Sequence, residues 1–278
     1  MVFSNYTNFY RKVQREGFAA AAAQTAALGF DAVELIQSPR IEKAYIKTAA
    51  DAVECKRVLK ATGLAVTCFS LSLDLLHGER DRVLDDAYRN IELAAILGAP
   101  YFHHTVAPDF LPQPSLPLDK LLSGHVAELG ELIAKRCNEL GILCLYEPQG
   151  MQVNGVAALS AWLAEMRARG CEVGICGDLG NSLFVDTPPA EIFAALAGEI
   201  RQIHVKDYFY SAEPLEGALR SRNGKYLAEA PVGKGAADIA RCLSLIKGFD
   251  GPISMENDVD DEELQRSIAY IKELLQKK

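Results

Sequence analysis

Eight short runs rich in apolar and β-branched residues alternate with eight longer stretches of helical periodicity, and few folds can absorb that order. The strand-like runs fall at 2–4, 32–36, 65–70, 100–104, 142–147, 173–178, 200–206 and 253–256. The helical patterns lie near 16–29, 47–62, 79–97, 118–140, 154–169, 188–197, 235–247 and 260–276. Strands separated in this way pair in parallel, because a parallel neighbour is reached only through a long crossover, usually a helix. Eight units are the number that closes a (β/α)8 barrel, whereas an open doubly wound sheet normally needs fewer. Gly63, Gly98, Gly141, Gly170 and Gly248 stand where helical patterns end, the position at which a chain leaving a helix often turns left-handed. No Gly-, Ser- or Pro-rich linker divides the chain. The expected fold is therefore α/β, a single-domain TIM barrel over residues 1–278.

Composition narrows the partners. A formal charge of −8 opposes a nucleic-acid role, since a phosphate backbone demands a basic footprint. The cysteines Cys55, Cys68, Cys137, Cys144, Cys171, Cys176 and Cys242 are odd in number and form no CxxC pair. Most sit in apolar runs, which argues against a disulfide framework and for a reducing, cytoplasmic location. The longest apolar stretch, 17–30, is interrupted by Gln24 and is too short to span a bilayer. The N-terminus has no charged head ahead of an apolar run, so no export signal is expected. The partner expected is a small molecule, not a nucleic acid or a membrane. A homo-oligomer is compatible with these features.

Four successive strand-like runs end on a strong metal ligand, in Cys-Leu-Tyr-Glu147, Ile-Cys-Gly-Asp178, Gln-Ile-His204 and Ile-Ser-Met-Glu256. Strand alternation sets their direction. Ile203 and Val205 share one face, leaving His204 and Lys206 on the other. Val173 and Ile175 oppose Asp178, and Ile253 and Met255 oppose Glu256. The fifth run is less clean, because Leu143 and Leu145 share the phase of Glu147. Three carboxylates and an imidazole at one barrel mouth would repel and raise one another's pKa values. One divalent ion removes that conflict, and an O3N set suits Mn²⁺, Mg²⁺, Co²⁺ or Zn²⁺ without selecting among them.

The run Gly-Phe-Asp-Ala-Val-Glu34 resembles the second strand of the xylose isomerase-like barrel superfamily. Glu147, Asp178-Leu-Gly-Asn181, His204-Val-Lys206-Asp207, Val232-Gly-Lys-Gly235 with Asp238, and Glu256 resemble its later motifs. The superfamily includes ketose 3-epimerases, hydroxypyruvate isomerases, inosose dehydratases and endonuclease IV. For the epimerase branch, the resemblance implies that Glu147, Asp178, His204 and Glu256 ligate the ion, manganese being one expectation. It also implies that Glu147 and Glu256 act as acid and base on opposite faces of a sugar or polyol, through a metal-stabilised enediolate. Three positions depart from that branch. Asn181 replaces a histidine and is expected to contact substrate, Tyr210 replaces an arginine, and Val153 replaces a second glutamate. The sugar isomerase or epimerase reading thus has a lyase acting on a keto-sugar or inosose as its alternative. Endonuclease chemistry is disfavoured by the five histidines and the negative charge. A non-catalytic sugar-binding barrel has no evident need for two opposed glutamates.

Further residues complete the expectations. Lys206 holds a substrate hydroxyl, polarises a carbonyl, or pairs with a neighbouring carboxylate. Glu34 orients substrate, orients a residue that supports the centre from behind, or makes a structural hydrogen bond in the barrel floor. Of the adjacent His103 and His104, the former, in phase with Tyr101, is expected at the mouth as a substrate contact or auxiliary base. Gly233-Lys234-Gly235 is either an anion-binding turn or a plain entry into a helix. The long segments 106–117 and 208–234 are candidate lids or ordinary surface loops.

Overall fold

The computed structural model describes residues 1–37, 45–122 and 124–276. In chain order its elements are β1 (Phe3–Asn5), α1 (Thr7–Glu16), α2 (Phe18–Ala27), β2 (Ala32–Gln37), α3 (Ala49–Thr62), β3 (Ala65–Leu71) and α4 (Arg80–Leu97). There follow β4 (Tyr101–His104), α5 (Leu118–Leu121), α6 (Gly124–Glu139), β5 (Leu143–Tyr146), α7 (Val156–Ala168), β6 (Val173–Asp178), α8 (Pro189–Leu196) and β7 (Ile200–Val205). The chain ends with β8 (Tyr208–Ser211), β9 (Leu219–Arg220), β10 (Tyr226–Glu229), α9 (Ile239–Leu245), β11 (Ile253–Met255) and α10 (Asp261–Gln276). Strands β1 to β7 and β11 form a closed barrel in that order, with β11 returning beside β1. All of its pairings are parallel.

Alternation along each strand divides the barrel into two environments. Val33, Leu35, Phe69, Phe102, Tyr146, Ile175, Ile203, Val205 and Ile253 face outward and are buried with the helices in one continuous core. Inward-facing Glu34, Ser70, Gln202, His204 and Ser254 are equally buried but polar. The irregular fifth run is resolved by this division. Tyr146 turns outward, its ring centroid 5.5 Å from that of Trp162 on α7. Leu145 fills the interior below Glu147, so close to β6 that a Cβ on Gly174 would lie 3.1 Å from its Cδ2. A barrel interior is itself a packed core and needs some apolar side chains in the inward phase.

Helix ends follow the local chemistry. Gly63 and Gly98 adopt left-handed φ of 76° and 81°, and their N–H groups return to carbonyls of the last turns of α3 and α4. Three segments differ from the periodicity reading. The helix expected near 16–29 is preceded by a further one, α1, because Gly17 at φ 86° breaks the pair. Its inner face is partly polar, with Asn8 and Lys12 buried beside Phe9 and Val13, so the apolar stripe is thin. Lys12 reaches Asp261 of α10 at 2.8 Å. The stretch expected as one helix over 118–140 is divided into α5 and α6.

The long segment 208–234 is not a loop but carries β8, β10 and β9, an antiparallel sheet above the C-terminal end of the barrel. Tyr208 and Leu227 of this sheet join Met151, Leu183, Phe184 and Val185 in a second, smaller apolar cluster. The segment 106–117 packs nearby, where Asp109 O accepts from Met151 N at 3.1 Å and Gln152 Oε1 accepts from Leu116 N at 2.7 Å. All seven cysteines are free and buried. Among the described residues no helix is long and apolar enough to cross a membrane.

Phe102 is fully buried between barrel and helices, with its ring stacked 6.1 Å from that of Phe69. Truncation by Phe102→Ala is expected to lower stability by about 3–5 kcal/mol. A shift of the urea midpoint with an unchanged denaturant slope would show it.

Candidate metal centre

Because β5, β6, β7 and β11 are consecutive neighbours in the barrel, their C-terminal ends meet on one side of its mouth. Glu147 stands one residue beyond β5, Asp178 is the last residue of β6, His204 lies near the end of β7, and Glu256 follows β11. Register reinforces the convergence, since His204 pairs with both Asp178 and Ser254. One ligand atom from each of Glu147, Asp178, His204 and Glu256 lies within 4.8 Å of all the others.

The hydrogen bonds show which atoms are free. His204 Nδ1 is 2.9 Å from Glu147 Oε2 and 2.9 Å from Glu256 Oε2. Asp178 Oδ1 accepts the N–H groups of Gly180 and Asn181 at 2.7 and 2.5 Å, while its buried Oδ2 has no hydrogen-bond partner. Lys206 Nζ donates to Glu256 Oε1 at 2.6 Å and to Asn181 Oδ1 at 3.2 Å, and lies 3.6 Å from Asp178 Oδ2. Of the roles open to Lys206, the carboxylate pairing is the one its contacts show.

The electrostatics are those of a site with surplus negative charge. Burial pushes Asp178 up to about 7 despite the nearby Lys206, and Glu256 and Glu147 push the same way. Burial alone would raise Glu256 too, but Lys206 and His204 hold it below the usual carboxylate range. Burial alone would lower His204, yet neighbouring Cys176, whose own thiol burial pushes up, and the carboxylates of Glu34 and Glu256 hold it well above the ordinary histidine value. A proton on Nδ1 therefore stands where a cation can stand. The residues fit such an ion on their own geometry. Three carboxylates and one imidazole converge, a buried carboxylate oxygen is orphaned, and the ring is already aimed.

Glu34 does the aiming. It is fully buried behind the imidazole, its carboxylate 3.0 and 3.1 Å from His204 Nε2. Ser70 Oγ donates to one of its oxygens and Gln202 Nε2 to the other, both at 2.6 Å. An acceptor here keeps the Nε2 proton in place and leaves Nδ1 to ligate, the usual outer support of a metal-bound histidine. Of the roles expected for Glu34, support of His204 is the one its contacts show.

His103 points inward, its Nε2 3.5 Å from Glu147 Oε1, whereas His104 turns outward against Tyr146. Asn181 is fully buried beside Lys206, and its Nδ2 has no hydrogen-bond partner. A cavity of about 180 Å³ opens over the centre, lined by Tyr6, Ser70, His103, Gln149 and Glu256 among others. Tyr6 and Gln149 escape sequence reasoning. Tyr6 follows the shortest run, though its ring lies 5.1 Å from that of His204. Gln149 stands two residues past Glu147, a spacing that could have marked it, and its buried Oε1 is unpaired. Tyr210, standing for the branch's arginine, bonds Asp186 at 2.5 Å.

The glycine turn after the top sheet has a different occupant from the one considered. Asp207 Oδ2 accepts the N–H groups of Gly233 and Gly235 at 3.0 and 2.8 Å, and its Oδ1 accepts those of Ala237 and Tyr208 at 3.1 and 2.9 Å. The anion in this cradle is the protein's own carboxylate, so the turn offers no seat for a phosphate.

The model of the xylose isomerase-like TIM barrel family matches residues 22–274. No curated protein matches the sequence significantly. Solved structures share the fold at low identity. A xylose isomerase-like TIM barrel protein from Mycobacterium smegmatis in complex with magnesium is 20% identical, over 99% of this chain and 96% of that one, with a TM-score of 0.71. A probable 3-DHS dehydratase from Bacillus anthracis is 16% identical over 98% and 99%, with a TM-score of 0.74. A D-psicose 3-epimerase, solved in the presence of D-fructose, is 14% identical over 99% of both chains, with a TM-score of 0.73.

Two outcomes are expected from this geometry. Glu34→Ala should weaken Mn²⁺ binding about 10–100-fold by calorimetry, the usual scale for loss of a carboxylate behind a ligating histidine. Protons compete with the ion for Asp178, whose pKa lies at about 7, and for His204. Mn²⁺ affinity should accordingly rise with pH through about 7. A flat profile would show that neither group releases a proton on binding.

Proposed function

The chain belongs to the xylose isomerase-like TIM barrel family, and on that premise we propose a divalent-metal-dependent enzyme that moves a proton next to the carbonyl of a small sugar or polyol-derived ketone. One observation carries the reading: Glu147, Asp178, His204 and Glu256 bring ligand atoms within 4.8 Å of one another beside a cavity that Glu256 lines. A divalent cation held there acts as a Lewis acid on the carbonyl and makes the neighbouring C–H more acidic. Mn²⁺, Mg²⁺, Co²⁺ and Zn²⁺ all suit the oxygen-rich donor set.

The protein's own groups do the rest. Glu147 and Glu256 flank His204 from different strands, so two carboxylates can face substrate from two directions. Glu147 is placed to take the proton, with the His103 ring beside it to accept or relay it. Glu256 is held ionised by Lys206, and the pair is placed to return a proton. Gln149 Oε1 and His103 Nε2, buried and unpaired at the cavity wall, are acceptors suited to substrate hydroxyls. Isomerase or epimerase chemistry is the first reading. The Lys206–Glu256 pair supports a second, β-elimination, because an ammonium at that face can protonate a departing hydroxyl.

Incubation of the Mn²⁺-loaded protein in D2O with a panel of ketoses, inosose and 3-keto-glucosides separates the readings. Deuterium entering next to the carbonyl without loss of a substituent supports isomerisation or epimerisation, and growth of enone absorbance supports elimination. Failure of both across the panel would sink proton transfer as the activity. Glu147→Gln and Glu256→Gln are each expected to lower kcat by about 10²–10⁴-fold, the usual share of a positioned acid or base. Chelation should abolish turnover, and a divalent ion should restore it.

A further inference from the structure

Directly beneath the four ligands lies a thiol that the proposed reaction does not use. Cys176 precedes Asp178 by two residues on β6, in the same inward phase, and is fully buried. The pairing of β6 with β7 shifts register between Ile175 and Cys176, so the strand is irregular where this side chain is aimed. Such irregularities re-aim side chains and are frequent beside functional sites. The Cys176 sulfur, a Glu147 oxygen and a His204 nitrogen all lie within 4.8 Å of one another, a second ligand set sharing two members with the first. Just above Cys176 on the same strand, fully buried Asp178 Oδ2 has no hydrogen-bond partner.

We propose that Cys176 is a thiolate ligand of the centre, joining Glu147 and His204, and that it biases the site toward Zn²⁺ or Co²⁺ over Mg²⁺. The inference rests on the reading above that a divalent ion occupies the centre. A thiolate is a soft donor, favoured by Zn²⁺ and Co²⁺ and poorly matched to Mg²⁺, which prefers oxygen in octahedral geometry. With Asp178 and Glu256 beside Glu147 and His204 the donor set is hard, whereas the lower set, with sulfur beside Glu147 and His204, is mixed. On binding, the metal–sulfur bond forms as the S–H bond breaks, and the proton leaves to solvent. Cys68, the other inward-facing thiol of the barrel, is turned toward Ser70 Oγ at 3.8 Å and belongs to neither ligand set.

Cobalt makes the sulfur visible. Titration of the full-length, metal-free protein with Co²⁺ should give the visible bands of bound cobalt together with a near-ultraviolet thiolate-to-cobalt charge-transfer band. Cys176→Ser and Cys176→Ala should lose the charge-transfer band and keep the visible ones, while Cys68→Ser keeps both. In competition titrations, Cys176→Ala should weaken Zn²⁺ about tenfold or more relative to Mg²⁺, the scale on which residues around a metal tune its affinity. Visible cobalt bands without a charge-transfer band in the wild-type protein would overturn the sulfur ligand while leaving the four-residue centre intact. No Co²⁺ binding by the wild-type protein would overturn both. The wild-type spectrum decides the matter even where a variant fails to fold.

Discussion

The parallel pairing of β1 with β11 is the constraint on which the site depends. Phe3, Ser4 and Asn5 align with Ile253, Ser254 and Met255, and this short seam turns an open sheet into a barrel. β11 also pairs with β7, and that pairing sets Glu256 beside His204. In an open sheet the four ligands would remain on neighbouring strands, but Glu34 of β2 would have no fixed place behind His204. The same seam brings Tyr6, the residue just after β1, over the imidazole. α1 then ties its end of the chain to α10 through Lys12 and Asp261.

Once the four ends are gathered, electrostatics dictate the arrangement around them. Like charges in a buried space are costly unless paired or bridged by a cation. The protein answers with one ammonium, Lys206, placed against Glu256 and Asp178, and one imidazole between three carboxylates. Glu34, Ser70 and Gln202 form a chain of hydrogen bonds beneath that imidazole, so the ring has little freedom to turn. Rigid support of this kind is what a centre needs to present one nitrogen in one direction. The positions that depart from the epimerase pattern, Asn181, Tyr210 and Val153, lie around this centre rather than in it.

Much of this was legible in the sequence, and the limits of that reading have physical causes. The barrel follows from alternation of period and from glycines at helix ends, both local properties of the chain. The convergence of Glu147, Asp178, His204 and Glu256 could be anticipated because strand phase and strand order together fix where an end points. What escaped reading depends on contacts between distant segments. Glu34 reads equally as a substrate contact or a floor residue until His204 is seen in front of it. Asp207 looks like a neighbour of Lys206, and only the fold shows that it fills a glycine turn far along the chain. α1 was missed because its inner face is half polar, with Lys12 buried by a partner that sits on the last helix. Leu145 blurred the fifth strand because inward does not mean polar throughout a barrel.

Asp207 has a further consequence. Its carboxylate clasps the turn at Gly233 and Gly235, and its own carbonyl accepts from Ala230, so the chain leaves β7 and returns to α9 through a single knot. A Cβ on Gly235 would sit 2.1 Å from Asp207 Oδ1, which leaves that position to glycine. Everything between the two ends, the sheet of β8, β9 and β10, is a handle that leaves and rejoins the barrel at this knot and rests on Met151, Leu183, Phe184 and Asp186. The handle can be lengthened, shortened or resurfaced in the course of evolution while Lys206 and α9 keep their places. The knot thus separates what must stay constant for chemistry from what can vary to suit the molecule being recognised.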